Sequence, residues 1–250
     1  MTNKNLTLNN NYQKISKSWN STTSVRNSSE TYELSLSNKA KDQNDNLSWS
    51  LNNFSPILDH KYFKELSKTD SKFIVGIQLL DFLIKTTRFE IEYVNDVASS
   101  ISLNKYDLDF PEEIKLDALK IYTDEGYHAY FSEKVSQQIR NYYTIDDSFN
   151  GCVNSFFDRV NNFIEKKPSE SRNFAKLALV IISENTILSD LSDAMKGIVY
   201  DPLRNMFKDH IIDESFHAKF FSQVLSIVWK QFDSNQQLIL AEYLCDAINL

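Results

Sequence analysis

The sequence predicts an all-α fold built on long helices, on three observations. The 250 residues hold only 4 Gly and 4 Pro, where average usage gives about 17 and about 12. That scarcity argues against sandwiches, barrels and glycine-rich nucleotide folds, which need turn residues every few positions. From Ser55 onward apolar residues recur at steps of three and four, and no stretch alternates with the period of a strand. Hydrophobic residues make up 42% of the chain, with 17 Phe and 12 Tyr, enough for a large core in a chain of one-domain length.

Residues 1–54 read as a polar N-terminal arm and 55–250 as the helical domain. The arm is rich in Asn and Ser, yet it carries Trp19, Val25, Leu34, Leu36, Leu47 and Trp49. These are more apolar residues than a solvated tail needs, so the arm is expected to pack on the core in extended form, with a short helix over 12–18. A short helix follows at 56–66. A long one over 71–101 carries Ile74, Leu79, Phe82, Leu83, Val94 and Val97. Pro111 opens the next helix, to about residue 140, in a first turn where its missing N–H does no harm. Further helices span 148–165 and 169–197, the latter with Gly197 as its stop. Pro202 opens a helix to about residue 232, and Asp233 caps the last one. The expected count is six or seven helices, four of them long.

Charge and cysteines narrow the function classes. The net charge is −7 and no extended basic stretch occurs, so nucleic-acid binding has no support. The longest aliphatic run, 177–182, falls far short of the ~20 residues that cross a bilayer, and the polar N-terminus lacks the apolar stretch of a signal peptide. Cys152 and Cys245 form no metal-binding spacing. They read as reduced thiols of a cytoplasmic protein.

The chemistry lies in ionisable residues on apolar stripes. Glu184 shares its helix face with Leu177, Val180, Ile181, Ile187, Leu188 and Leu191. Glu90 shares its own with Leu83, Thr86, Thr87, Val94 and Val97, whereas Glu92 lies among Lys85, Arg88, Asn95, Asp96 and Ser99, an ordinary solvated face. A carboxylate buried without a cation costs several kcal/mol. Glu125 and His128 share a face with Ile121, Tyr122, Ala129 and Ser132, and His210, Glu214 and His217 form one stripe with Phe207, Ala218, Phe221 and Val224. Singly, each of these residues also reads as a satisfied core residue or ion-pair partner. Together they give one glutamate from each of two helices and Glu-x-x-His from each of two others, the constellation of a carboxylate-bridged dinuclear site in a four-helix bundle. Four glutamates cancel the four positive charges of two Fe(II) ions, and imidazoles add neutral donors. Three of the 4 histidines lie in this set, and only His60 is left over. Asp124 and Asp213 each precede a glutamate of the set and are candidates to hold the ligand histidines. Tyr93 and Tyr127 are the candidate substrate-pocket residues nearest in sequence.

At these positions the chain resembles the diiron N-oxygenases typified by p-aminobenzoate N-oxygenase. The Asp-Glu-Gly-Tyr-His-Ala run at 124–129 resembles that family's first Glu-x-x-His motif, and the His-x-x-x-Glu-x-x-His run at 210–217 its last. The Trp19 to Arg26 segment resembles its N-terminal Trp…Val-Arg stretch. The resemblance implies a ferritin-like four-helix bundle with additional helices and an extended N-terminal arm. It implies seven iron ligands, Glu90, Glu125, His128, Glu184, His210, Glu214 and His217, with His210 as the third histidine that ordinary ferritin-like sites lack. The activity implied is O2-dependent oxidation of an aryl or alkyl amine, free or carrier-bound, to hydroxylamine, nitroso or nitro products. It would pass through a peroxo-diferric species, in a secondary-metabolism setting, with His210 tuning the diiron centre. No flavin or iron–sulfur motif is present, so an external electron donor is expected. Bundles of this class also pair through helix faces, which leaves a homodimer open.

Three other readings stand beside this one. The same ligands serve a diiron hydroxylase or desaturase acting on carbon. They also serve a ferritin-like ferroxidase, which would assemble into a shell. A metal-free helical interaction module would leave four buried glutamates without a counter-charge.

Overall fold

The structure, a computed structural model, describes residues 8, 10–28, 32–34, 56–151, 153–196, 198 and 200–250. Leu36, Leu47 and Trp49 of the arm, and the expected stop at Gly197, lie outside the described residues. Among the described residues every regular element is helical, as the scarcity of glycine and proline requires.

The arm opens with α1 (Asn10–Thr22) and α2 (Ser24–Asn27), so its helix is longer than 12–18. Pro56–Asp59 forms a 3-10 turn. His60 then accepts a hydrogen bond from Tyr62 N and caps α3 (Lys61–Lys64), so the single helix expected at 56–66 is split. The long helix expected over 71–101 is three pieces. They are α4 (Lys68–Phe89), a π-helical turn (Glu90–Val94) and α5 (Asn95–Ser102). α4 starts early because Ser67 caps it, accepting from Asp70 N at 3.1 Å.

α6 (Glu112–Tyr143) has Pro111 at its cap position and two glutamates in its first turn, where they suit the helix dipole. It stops at Thr144, which takes a left-handed φ of 56°. Arg140 then donates to the carbonyls of Asp146 and Phe149 and folds the following loop back. The turn at Gly151, with φ of +51°, delays α7 (Val153–Glu165) beyond its expected start. α8 (Arg172–Lys196) follows a 3-10 turn, and α9 (Asp201–Gln231) begins with proline in its first turn. Asp233 caps α10 (Ser234–Ile248) with a full capping box completed by Gln236.

Four helical rods form the bundle. α4 with α5 lies along α6, α8 lies along α9, and α6 and α9 meet across the centre. Gly76 makes the first pairing close, since a Cβ there would meet the Tyr143 ring at 2.5 Å. Lys176 on α8 pairs with Asp96 on α5 at 2.6 Å. Thus residues after Glu90 stand beside residues before Glu184, and the two rods run antiparallel. α7 and α10 cover α8, while α1 packs on α9 and α2 bridges α6 and α9. Two apolar clusters fill the interior. One is centred on Phe157, Phe220 and Phe221, the other on Leu79, Phe131 and Phe207. The charged groups of the site stand between them.

Candidate metal centre

Each rod delivers its charged residue inward because the apolar stripe that carries it must face the core. Glu90, Glu125, Glu184 and Glu214 are all 3% exposed or less, and His128, His210 and His217 are 2% or less. Glu92 stays at the surface, where Arg88 donates to it at 2.7 Å. Glu90 opens the π-helical turn, whose extra residue per turn sets the direction of its side chain. Nothing in the sequence signals that turn, because it contains neither glycine nor proline and its hydrogen-bonding depends on the packing of α4 and α5 against α6.

Donor atoms from all four rods converge. His210 Nε2 lies 3.2 Å from Glu90 Oε1 and 3.1 Å from Glu214 Oε1. His128 Nδ1 lies 3.2 Å from Glu125 Oε2 and 3.4 Å from Glu214 Oε1. His217 Nδ1 lies 3.0 Å from Glu125 Oε1, 3.3 Å from Glu214 Oε1 and 3.6 Å from Glu184 Oε2. Two overlapping quartets, Glu90–His128–His210–Glu214 and Glu125–His128–Glu214–His217, each keep their donor atoms within 4.8 Å of one another. His128 and Glu214 are common to both.

The alignment of these atoms fits metal ligation. Glu125 Oε1 and His217 Nδ1 are 3.0 Å apart, yet neither makes a hydrogen bond. Both oxygens of Glu90, Glu184 Oε2 and Glu214 Oε2 are likewise buried without one. His128 bonds Glu125 at 3.2 Å and His210 bonds Glu214 at 3.1 Å, but buried polar atoms are almost always hydrogen-bonded, so the several that converge here without a partner suit a shared third atom. Carboxylate oxygens and imidazole nitrogens match divalent iron or manganese.

Titration tells the same story. Burial pushes the Glu90 carboxyl up to about 7, against the lowering effect of His210. Burial, then the charges of Glu214 and Glu125, holds Glu184 well above the carboxylate range. Burial also opposes ionisation of Glu125 and Glu214, but the histidines outweigh it and both carboxyls lie low. Burial disfavours the charged imidazoles too, and the surrounding carboxylates overcome it and raise all three. The side chains alone share protons in place of a positive counter-charge.

The aspartates cross over. Asp213, beside Glu214, takes the Nε2–H of His128 at 3.1 Å, and Asp124, beside Glu125, takes that of His217 at 3.3 Å. A carboxylate is an acceptor only, so each bond keeps a proton on Nε2, and an imidazole that gives up its second proton is left with Nδ1 bare towards the glutamates. The arm holds the aspartates in turn. Trp19 Nε1 donates to Asp124 at 2.7 Å and Thr23 Oγ1 at 2.6 Å, while Ser24 bonds Asp213 through its hydroxyl and, at 3.1 Å, its backbone N–H. Sequence reasoning picked out Trp19, as an apolar residue of the arm and in the family-like segment Trp19 to Arg26, but missed that it, Thr23 and Ser24 hold the aspartates.

Tyr93 and Tyr127 take different places. Tyr93 donates to Asn161 at 2.7 Å and stacks on Phe89 and Phe157, and Tyr127 contacts Tyr130 and Phe131. Neither lines the cavity of about 900 Å3 that reaches Glu90 and Glu184. Phe82, Phe89, Phe156, Leu179, Ile182 and Ile187 form much of its wall. His60 stands apart as the cap of α3.

The model of the family described as p-aminobenzoate N-oxygenase AurF matches residues 9–250. No curated protein matches the chain. Among the described residues no helix is long and apolar enough to cross a membrane.

Proposed function

The chain belongs to the p-aminobenzoate N-oxygenase AurF family, which makes it a diiron amine N-oxygenase that uses O2, and from that premise we propose which of its residues carry the reaction. Glu90, Glu125, His128, Glu184, His210, Glu214 and His217 hold the two irons. The observation that carries this reading is the convergence of their buried donor atoms, several of them without any hydrogen-bond partner. Bound iron supplies the activation of O2 and the route for electrons to it.

The protein's own residues do the rest. Four glutamates offset the charge of two divalent ions where water cannot. Asp124 and Asp213 keep His217 and His128 in the tautomer that donates Nδ1 to a metal. His210 adds a neutral donor beside Glu90. The apolar wall of the cavity excludes water and brings the amine up to Glu90 and Glu184. The family implies a small-molecule amine of aminobenzoate type. Each hydroxylation puts one oxygen atom of O2 into an N–H bond and reduces the other to water. That consumes two electrons and two protons, so an external donor belongs to this reading. Leu116, Leu119, Tyr122 and Tyr130 are exposed along one side of α6, which supports pairing of two copies of the chain through that face.

The test is product analysis under labelled oxygen. Iron-loaded protein with a chemical reductant, 18O2 and a panel of aryl and alkyl amines is expected to yield hydroxylamine or nitroso product with the label on nitrogen. Label on carbon alone would assign the chain to hydroxylation. Iron oxidation with no organic product would assign it to ferroxidase chemistry.

A further inference from the structure

Each turnover draws electrons from outside the chain, yet the seven ligand residues are all 3% exposed or less. A protein donor does not touch them, so electrons cross part of the fold. Electron transfer falls steeply across an empty gap and far less along covalent and hydrogen bonds. The bonded routes outward from the histidines therefore decide where electrons enter.

His217 carries such a route to the surface. Its Nδ1 faces the glutamates, and its Nε2 lies 3.3 Å from Asp124 Oδ2. Trp19 Nε1 donates to that same oxygen at 2.7 Å. One atom thus joins the imidazole to an indole, and the indole is partly exposed. Thr23 takes the other oxygen of Asp124 at 2.6 Å, but it is 1% exposed. The route from His128 passes Asp213 and ends at Ser24, itself 5% exposed. The indole is also fixed in place. Two turns and one turn before it on α1, Tyr12 and Ser16 donate to Asp117 of α6, the second at 2.6 Å. Lys120 of α6 bonds Asp117 at 2.6 Å and the Ser16 carbonyl at 3.1 Å. These bonds clamp α1 to α6, and the metal centre itself does not require them.

The surface around the indole is basic, against the sign of the molecule. Arg26 and Lys120 each hold a cation 5.9 Å from the centre of the Trp19 ring. Residues 10–28 contain Lys14, Lys17 and Arg26 and no acidic residue, in a chain of net charge −7. All three cations are exposed. Such a patch attracts an acidic partner and steers its approach.

We propose that Trp19 is where electrons enter, delivered by an acidic one-electron carrier protein that docks over α1 and α2, and that they pass through the indole, Asp124 Oδ2 and His217. This rests on the assignment of His217 and its six companions as iron ligands. Two carriers each lose one electron, two iron(III) ions become iron(II), and Trp19 ends each transfer unchanged.

The test is anaerobic stopped-flow mixing of the iron-loaded, oxidised protein with a reduced plant-type ferredoxin, an acidic one-electron donor of low potential. Dithionite is the comparison, a small reductant that needs no docking. Reoxidation of each donor is followed by its own absorption. Each protein's ferredoxin rate is divided by its dithionite rate, which cancels a change in the potential of the irons. Trp19→Phe is expected to lower that ratio at least tenfold, and Thr23→Val, which removes the other bond to Asp124, to leave it within twofold. The double variant Lys17→Glu, Arg26→Glu is expected to lower it at least fivefold. Elemental analysis and circular dichroism check two irons and helix content in each variant. Trp19→Gln, which keeps an N–H donor, takes the place of Trp19→Phe if the latter does not hold two irons. A ferredoxin that fails to reduce the unaltered protein overturns the proposal, as does an unchanged ratio in the Trp19 variant or an equal fall in Thr23→Val. An unchanged ratio in the double variant overturns the docking place. The two readings fail separately: fewer than two irons in the unaltered protein sinks the ligand assignment and the route with it, whereas two irons with equal ratios sinks the route alone.

Discussion

Glu90 and Glu184 are carboxyls that the fold holds where ionisation is costly. Burial takes Glu90 from the usual 4.5 to about 7 and holds Glu184 well above its ordinary value. A glutamate raised in this way keeps its proton after the unfolded chain has lost its own, so the metal-free protein loses stability as pH rises from about 4.5 through 7. The three raised histidines act in the same direction, because their contribution is present below the ordinary histidine value of 6.5 and is lost as pH rises through their folded values. Glu125 and Glu214 are lowered, so their contribution is complete above 4.5 and is lost only on further acidification. The melting temperature of metal-free protein is therefore expected to fall between pH 5 and pH 8. Metal must displace these protons, so the rise in melting temperature on adding Zn(II) is expected to be larger at pH 7.5 than at pH 6. A metal-independent profile, or one rising with pH, would contradict the assignment. The same residues order the ligand substitutions. Glu214 lies within 3.4 Å of donor atoms on all three histidines, so Glu214→Ala is expected to leave fewer than two metals per chain by elemental analysis. Glu92→Ala, on the solvated face of the same turn, is expected to leave two.

Between residue and element, the π-helical turn and the arm show what sequence periodicity can and cannot reveal. The stripe through Leu83, Thr86, Glu90, Val94 and Val97 was legible because steps of three and four survive one inserted residue. The insertion itself was not, since it depends on neighbouring rods and not on a local breaker. The arm was legible as too apolar for a tail, as helical near 12–18 and, over Trp19 to Arg26, as a family-like stretch, but not in what it does. Its action is specific: Trp19, Thr23 and Ser24 hold the two aspartates that hold His128 and His217. Such outer hydrogen bonds tune metal sites by about 10–100-fold in affinity. The double variant Thr23→Val, Ser24→Ala is expected to weaken Zn(II) binding by about tenfold, measured by competition with a chelator, with helix content unchanged by circular dichroism. Unchanged affinity would reduce the arm to a cover. The far end of the chain gives a control for purely structural loss. Asp233→Ala removes the cap of α10, and it is expected to cost about 1 kcal/mol in denaturant unfolding without altering metal content.

At the scale of the molecule, four helical rods were legible from the few glycines and prolines and from Pro111, Pro202 and Asp233 at helix starts. Their pairing followed from the charged stripes, because four buried carboxylates on separate rods are compatible with a stable core only if they meet around a common charge. The substrate cavity was not legible. Its walls come from α4, α7, α8 and the last residues of the chain, a set that only the packed fold assembles. Tyr93 and Tyr127, adjacent to ligands in sequence, face aromatic partners instead. Tyr127 is next to His128 and so points to another face of α6, while Tyr93 is drawn to Phe157 and Asn161 of α7.

The most direct test of the whole account is the metal content of the purified chain after anaerobic loading with Fe(II) and removal of excess. Two irons per chain, reduced below two in Glu214→Ala and retained in Glu92→Ala, is the predicted result. A chain that binds no stoichiometric metal, or binds two in the Glu214→Ala variant, would contradict it.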